Sequence, residues 1–342
     1  MKFLIWSDHQ FNDWKEFSEV LPNGLNSRFA DQLNILDEIS TRDFDVAIHD
    51  GDLFETLSEK INKSVFLVVY DKIARMARKA VVILSVGNHD WLDRTETKHL
   101  LEPFKEIDNV VVVDKPTLQR FEGIDIVFMP YTRYNFASKL EEMLPMLNRK
   151  KRFLFSHQGV REAKVGPRDI MLREEFPLEA FHPEYFDYIF NGHYHKHQRM
   201  LSNFIIVGSG LQRDFGERND KKGYILFNTD TLDLFHYETQ APKFFKIEAG
   251  ENGEVVIPPE YRKDIDFLWV VGQKDLNDAE LIREHKHIRV AKKDSIETVT
   301  RTDIGITMSK KQQLEKFIAF SKPNLDRDKL LGKGLDICGK AE

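Results

Sequence analysis

The sequence predicts an α/β fold: two mixed β-sheets packed face to face and flanked by helices, followed by a small α/β cap and C-terminal helices. Three observations predict it. Short apolar runs recur through the first 240 residues, bounded by polar residues, as buried strands read. Helix-length amphipathic segments alternate with the first of these runs. Five runs, at 2–6, 45–48, 80–84, 152–155 and 188–190, lead into residues of metal-ligand type: Asp8, Gly51-Asp52, Gly87-Asn88-His89-Asp90, His157 and Gly192-His193-Tyr194-His195. Ligands gathered from several strand ends are how layered α/β folds build a site.

In chain order, the strands at 2–6, 45–48 and 80–84 are separated by helices at 28–39 and 62–78. Phe29, Leu33 and Leu36 fall on one face of the first helix. Strands at 110–113, 124–129, 152–155, 188–190, 204–207, 224–227 and 232–237 complete the main fold. The polar, glycine-containing stretch 248–254 and Pro258-Pro259 predict a break between 240 and 260. Strands at 266–271 and 287–291 around a helix at 277–284 then form a small module. A helix at 310–320 carries Leu314, Phe317 and Ile318 at helical spacing. A second follows Pro323-Asn324, ends near Gly332 and brings Leu330, Leu331 and Leu335 close together. The expected divisions are 1–242, 243–305 and 306–342.

Composition bounds the function. The chain is 41% hydrophobic and 31% charged, as a globular protein reads, and has no apolar run of 18 residues to span a membrane. No signal-peptide pattern follows Met1, and Cys338 is the single cysteine, so no internal disulfide forms. Both fit a cytoplasmic location. A net charge of −6 argues against binding nucleic acid with the whole surface, but leaves local basic patches and bound metals to hold phosphates.

The ordered motifs resemble those of calcineurin-like metallophosphoesterases: D-x-H, GD, GNH[DE], H and GHxH. The segment 207–217, Val-Gly-Ser-Gly-Leu-Gln-Arg-Asp-Phe-Gly-Glu, with Lys221-Lys222-Gly223-Tyr224, resembles SbcD-type DNA repair and recombination nucleases, including phage versions. The resemblance implies two divalent metal ions, Mn(II) by preference. Asp52 would bridge them. Asp8 and His195 would hold one, and Asn88, His157 and His193 the other. His89 would contact the phosphate and protonate the leaving oxygen, with Asp90 fixing its orientation. Oxygen and nitrogen donors without thiolates suit Mn, Fe or Zn.

One position departs from the pattern. Where D-x-H is expected, the chain reads Asp8-His9-Gln10. Three readings stand: Gln10 ligates weakly or through water, His9 swings in, or the first metal site is weak and the enzyme slow. Period-two geometry keeps position 10 beside Asp8 and favours the first.

Other groups are weighed against blander roles. Lone histidines such as His182, His197 and His236 are more often surface or core residues than ligands. The run Arg149-Lys150-Lys151-Arg152 reads as the end of a helix. Arg213, Lys221 and Lys222 are DNA-contact candidates in the nuclease-like loop. Lys286 and Arg289 are candidates in the cap, within a basic cluster from Arg283 to Lys293.

The leading expectation is a two-metal DNA nuclease subunit, homodimeric, working with an SMC-like SbcC-type ATPase. The alternatives are a small-molecule phosphodiesterase or protein phosphatase on the same fold, and a weakly active subunit that binds DNA ends.

Overall fold

The computed structural model describes residues 1–56, 61–121, 123–250, 252–272, 278–292, 310–321 and 326–339. Lys293, the 305/306 division and the Pro323-Asn324 junction lie outside them, as do the side chains of Phe317 and Leu335. By internal contacts the chain divides into two units. One comprises Met1–Ile247, Ile257–Trp269 and Ala279–Arg289; the other comprises Glu248–Val256, Val270–Asp278 and Val290–Glu342.

The first unit holds two six-stranded sheets. In the first, β1 (Lys2–Trp6), β2 (Val46–Asp50), β3 (Val81–Ser85) and β4 (Val110–Val113) run parallel. In the second, β5 (Thr117–Phe121) lies antiparallel to β6 (Ile124–Met129). Strands β7 (Lys151–Ser156), β8 (Tyr188–Asn191) and β10 (Phe204–Ile206) continue parallel to β6, and β9 (Gln198–Leu201) closes the edge antiparallel. The chain then returns through β11 (Gly223–Asn228) and β12 (Leu234–Glu238) to complete the first sheet, β12-β11-β1-β2-β3-β4.

Strand alternation decides which side chains fill which layer. Phe3, Ile5, Val46 and Ile48 meet Phe128, Phe153, Phe155 and Phe190 in the core between the sheets. The intervening Leu4, Trp6, Ala47 and Leu84 pack outward against α1 (Ser27–Ser40) and α2 (Lys63–Ala77). On the other flank, Val127, Met129, Leu154 and Ile189 pack with Phe136, Leu140 and Met143 of α3 (Phe136–Met143). Asn26 and Asn62 cap α1 and α2, accepting from the amides of Phe29 and Ser64.

A third sheet has the order β13 (Phe244–Glu248), β14 (Phe267–Gly272) and β15 (Ile288–Lys292), with α4 (Asp278–Glu284) between the last two strands. Within the first unit, Phe17, Phe215, Phe244, Phe267 and Trp269 form an aromatic cluster. The buried Arg28 guanidinium lies over Phe244 and Phe267 and donates to the Gln212 carbonyl at 2.6 Å. In the second unit, α5 (Lys310–Ser321) and α6 (Arg327–Gly339) pack as a pair. Gly334 permits the approach, since a Cβ there would come within 2.4 Å of Leu314. Among the described residues no helix is long and apolar enough to cross a membrane.

Candidate active site

The motif residues converge where the parallel strands of both sheets end. Asp8 follows β1, Asp52 follows β2, Asn88 and His89 follow β3, His157 follows β7, and His193 and His195 follow β8. The Asp8 and Gln10 amides donate to the carbonyls of Gly51 and Asp52, at 3.0 and 2.9 Å, tying the first two loops together. Asp8, Gln10, Asp52 and His193 all have left-handed backbones, with φ of 53°, 48°, 58° and 77°. Such strain in non-glycine residues persists only where surrounding structure enforces it, and it gathers at functional sites. Two motif glycines are required by space. A Cβ on Gly51 would stand 2.1 Å from His157 Nδ1, and one on Gly87 2.1 Å from Asp52 Oδ1.

Asp8, Asp52 and His157 bring their donor atoms together in a buried cluster. His157 Nε2 lies 3.3 Å from Asp52 Oδ2 and 4.0 Å from Asp8 Oδ1. Among the described residues, neither His157 Nε2 nor Asp8 Oδ1 has a hydrogen-bond partner. His157 Nδ1 is 2.6 Å from the Asp50 carbonyl, which can only accept, so in the neutral ring the lone pair is on Nε2 and faces the carboxylates. Burial alone would depress His157, but Asp52 and Asp8 push it up to about 10. Burial would raise Asp52, yet the charge of His157 beside it holds it well below the carboxylate range. Burial raises Asp8. Carboxylates that draw a proton onto a buried imidazole would draw a divalent cation to the same place. The oxygen and nitrogen donor set therefore fits a hard or borderline metal ion.

His193 Nδ1 lies 2.8 Å from Asn88 Oδ1. That separation suits a hydrogen bond, or two ligands sharing one cation at about 2.1 Å each. His195 Nδ1 is fixed by Glu217 Oε1 at 2.9 Å, leaving Nε2 for the site. Glu217 also accepts from the Arg213 amide and pairs with Lys222. Thus the 207–224 segment holds the candidate ligand His195 from behind, in the arrangement outer carboxylates take at metal sites.

Three expectations need correction. Asp90 does not touch the His89 ring. Its carboxylate accepts from the amides of Asp52, Leu53, Phe54 and Gly87, pinning the Asp52 loop to the His89 loop. The partner of His89 is Glu55, whose Oε1 lies 2.8 Å from Nδ1. The second correction concerns Gln10. It follows β1 in left-handed backbone and not in the strand, and its oxygen accepts from Arg213 Nη1 at 2.6 Å while its amide nitrogen donates to Asp52 Oδ2 at 3.2 Å. A guanidinium only donates, so the oxygen faces Arg213 and the NH2 group is the end turned toward Asp52. His9 does not substitute. It is buried against Phe11, with Nε2 3.3 Å from the Gln32 carbonyl, and burial pushes it down to about 4.

The third correction is Lys222, whose buried ammonium donates to the His195 carbonyl and Ser209 Oγ and is not turned toward a DNA backbone. Of the cap candidates, Lys286 pairs with Glu19 at 2.5 Å and Arg289 lies over Trp269 at 5.1 Å. Lys221 is exposed on the loop. Sequence reasoning missed Glu55 and Glu217. Glu55 sits three residues beyond Asp52, a spacing that was visible but carried no sign of which carboxylate turns toward His89.

Two sheets ending on one cluster of nitrogen and oxygen donors make a site suited to divalent metal ions. Residues 1–197 match the calcineurin-like phosphoesterase family, and the chain belongs to it. It is 22% identical over 214 residues to the inferred phosphoesterase 244L of Invertebrate iridescent virus 6, covering 60% of this chain and 72% of the viral one. A dimetal phosphatase from Danio rerio is similar at 10% identity, with 66% of this chain and 91% of that chain covered and a TM-score of 0.41.

Proposed function

We propose that the protein is a two-metal phosphodiesterase that cuts DNA, with Mn(II) as the preferred ion. The observation that carries the proposal is the buried Asp8–Asp52–His157 cluster with the His89–Glu55 pair next to it. Two bound cations would supply charge neutralisation at the phosphoryl oxygens and a lowered water pKa. Asp8, Asp52, Asn88, His157, His193 and His195 would hold them.

The chain's own residues do the rest. Glu55 accepts from His89 Nδ1 and fixes the ring, so Nε2 carries the mobile proton on the side of Asp52, 3.8 Å from its Oδ2. Burial opposes the imidazolium, but Glu55 and Asp52 outweigh it and raise the His89 pKa. A raised pKa keeps a proton available for a leaving alkoxide. Asp52 Oδ1 accepts from the His89 amide at 2.8 Å, so the acid and the central carboxylate move as one body.

The walls of the site support a nucleic-acid substrate. Beside Asp8 and His195 stands Trp14 with the Arg213 guanidinium 4.3 Å from its ring centre. Beside Asn88 stand Tyr131, Arg94 and Arg133. Aromatic faces stack bases and cations track phosphates. A homodimer and docking of an SbcC-type ATPase on α5 and α6 belong to the same proposal. The competing reading, a small phosphodiester or a phosphoprotein, is favoured by the cavity of about 440 Å³ beside Asp8, within the range of small-ligand sites.

Turnover of linear DNA, bis(p-nitrophenyl) phosphate and p-nitrophenyl phosphate separates these readings. The proposal expects DNA to have the highest kcat/KM and the monoester the lowest. A protein that hydrolyses the monoester best and leaves DNA intact is a phosphatase.

A further inference from the structure

The departure at position 10 and the position of Arg213 have one explanation. Arg213 comes from the loop after β10, more than two hundred residues from Gln10, yet Nη1 and Gln10 Oε1 are 2.6 Å apart. Its planar face lies on Trp14 at 4.3 Å, and Nη2 is 3.7 Å from Glu55 Oε2. The backbone amide of Arg213 is tied to Glu217, the same carboxylate that holds His195. The head group is therefore fixed on three sides: an amide oxygen, an aromatic face and a carboxylate.

Among the described residues, the guanidinium makes one hydrogen bond, to Gln10, out of five N–H donors. It lines the cavity of about 440 Å³ together with Asp8, His195 and Trp14, and it is 32% exposed. A cation with free donors, facing a cavity that also holds the cluster's Asp8, is arranged to receive an anion. Gln10 suits the arrangement: a neutral amide accepts from the guanidinium with one end and donates to Asp52 with the other. It links the central carboxylate to the arginine without adding charge.

We propose that Arg213 is the anion clamp of this site, donating to non-bridging oxygens of the substrate phosphoryl group, and that Gln10 is its positioning residue. The proposal rests on the phosphoesterase reading but not on DNA as the substrate. Guanidinium forks match phosphate oxygens in pairs, and hydrogen bonds to charged groups are the strong ones.

Inorganic phosphate titrated into the full-length, manganese-loaded protein tests it by calorimetry, with metal per chain measured on each sample. Arg213→Ala should weaken phosphate about tenfold or more, as loss of charge-assisted bonds does, with metal content unchanged. Arg213→Lys should recover part of that loss, and Gln10→Ala should weaken phosphate less than Arg213→Ala. KM for bis(p-nitrophenyl) phosphate should rise in the same order. Phosphate affinity within twofold of wild type in Arg213→Ala overturns the clamp. So does failure of the wild-type protein to bind phosphate, or a loss in Arg213→Ala traced wholly to lost metal, since Arg213 would then be a scaffold for His195. If the wild type binds phosphate through Arg213 but leaves DNA uncut, the clamp stands and the DNA reading falls.

Discussion

At the scale of residues, the site separates groups that hold charge from groups that hold geometry. Asp52 faces His157, Gln10 and His89 at once, whereas His89 answers to Glu55. Asp52→Ala should empty the metal site, and His89→Ala should keep metal and lose turnover, because its work lies in the transition state. Glu55→Gln should keep metal and lower kcat about 10- to 100-fold, as removal of outer partners does at metal centres. Elemental analysis beside kcat decides, and an emptied site in His89→Ala contradicts the division of roles. Asp8, Asp52, Asn88, His157, His193 and His195 were legible as candidates because the motifs keep ligand types at strand ends. The partner of His89 was not. Glu55 and Asp90 are both carboxylates near ligands, and which of them meets four backbone amides depends on how two loops pack.

At the scale of elements, the two sheets are joined at one edge by an unexpected contact. His197, just before β9, stacks on His236 of β12 with ring centres 3.9 Å apart and planes at 14°. Burial, then the facing His197, pushes His236 down to about 4 from its usual 6.5. A histidine depressed in the folded state resists protonation while the unfolded chain accepts it. Stability is therefore unaffected above about pH 6.5 and falls as pH drops from there toward about 4. Urea denaturation at pH 7.5 and 5 should show this loss, and His236→Phe should make it smaller. An unchanged pH slope in that variant would assign the acid sensitivity elsewhere.

The two edge strands of the second sheet were among the least legible parts of the chain. Strands β5 and β9 read Thr-Leu-Gln-Arg-Phe and Gln-Arg-Met-Leu, half polar, because an edge strand need bury only one face. The central strands stood out because both of their faces are covered. Helices α1 and α2 were legible from their apolar spacing, whereas the eight-residue α3 was too short for its periodicity to register.

At the scale of the molecule, the phosphoesterase unit and the helical pair carry separate expectations. Helices as short as α5 and α6 need packing to persist, and they find part of it in each other. If the pair is the ATPase-docking element, deletion of residues 310–342 leaves the melting temperature and metal-dependent cleavage nearly intact and abolishes co-purification with the ATPase. A melting temperature lowered by 10 °C or more, roughly a loss of several kcal/mol at this chain length, would make the helices part of the protein's own core.

Metal content and DNA cleavage measured on the same preparation test the central claim most directly. End-labelled linear and single-stranded DNA would be incubated with wild type and Asp52→Ala in Mn, in Mg and in excess chelator. The account predicts two metal ions per wild-type chain, cleavage that is fastest in Mn and absent in chelator, and neither metal nor cleavage in Asp52→Ala. Cleavage that survives excess chelator, or Asp52→Ala that retains its metal and its activity, would contradict it.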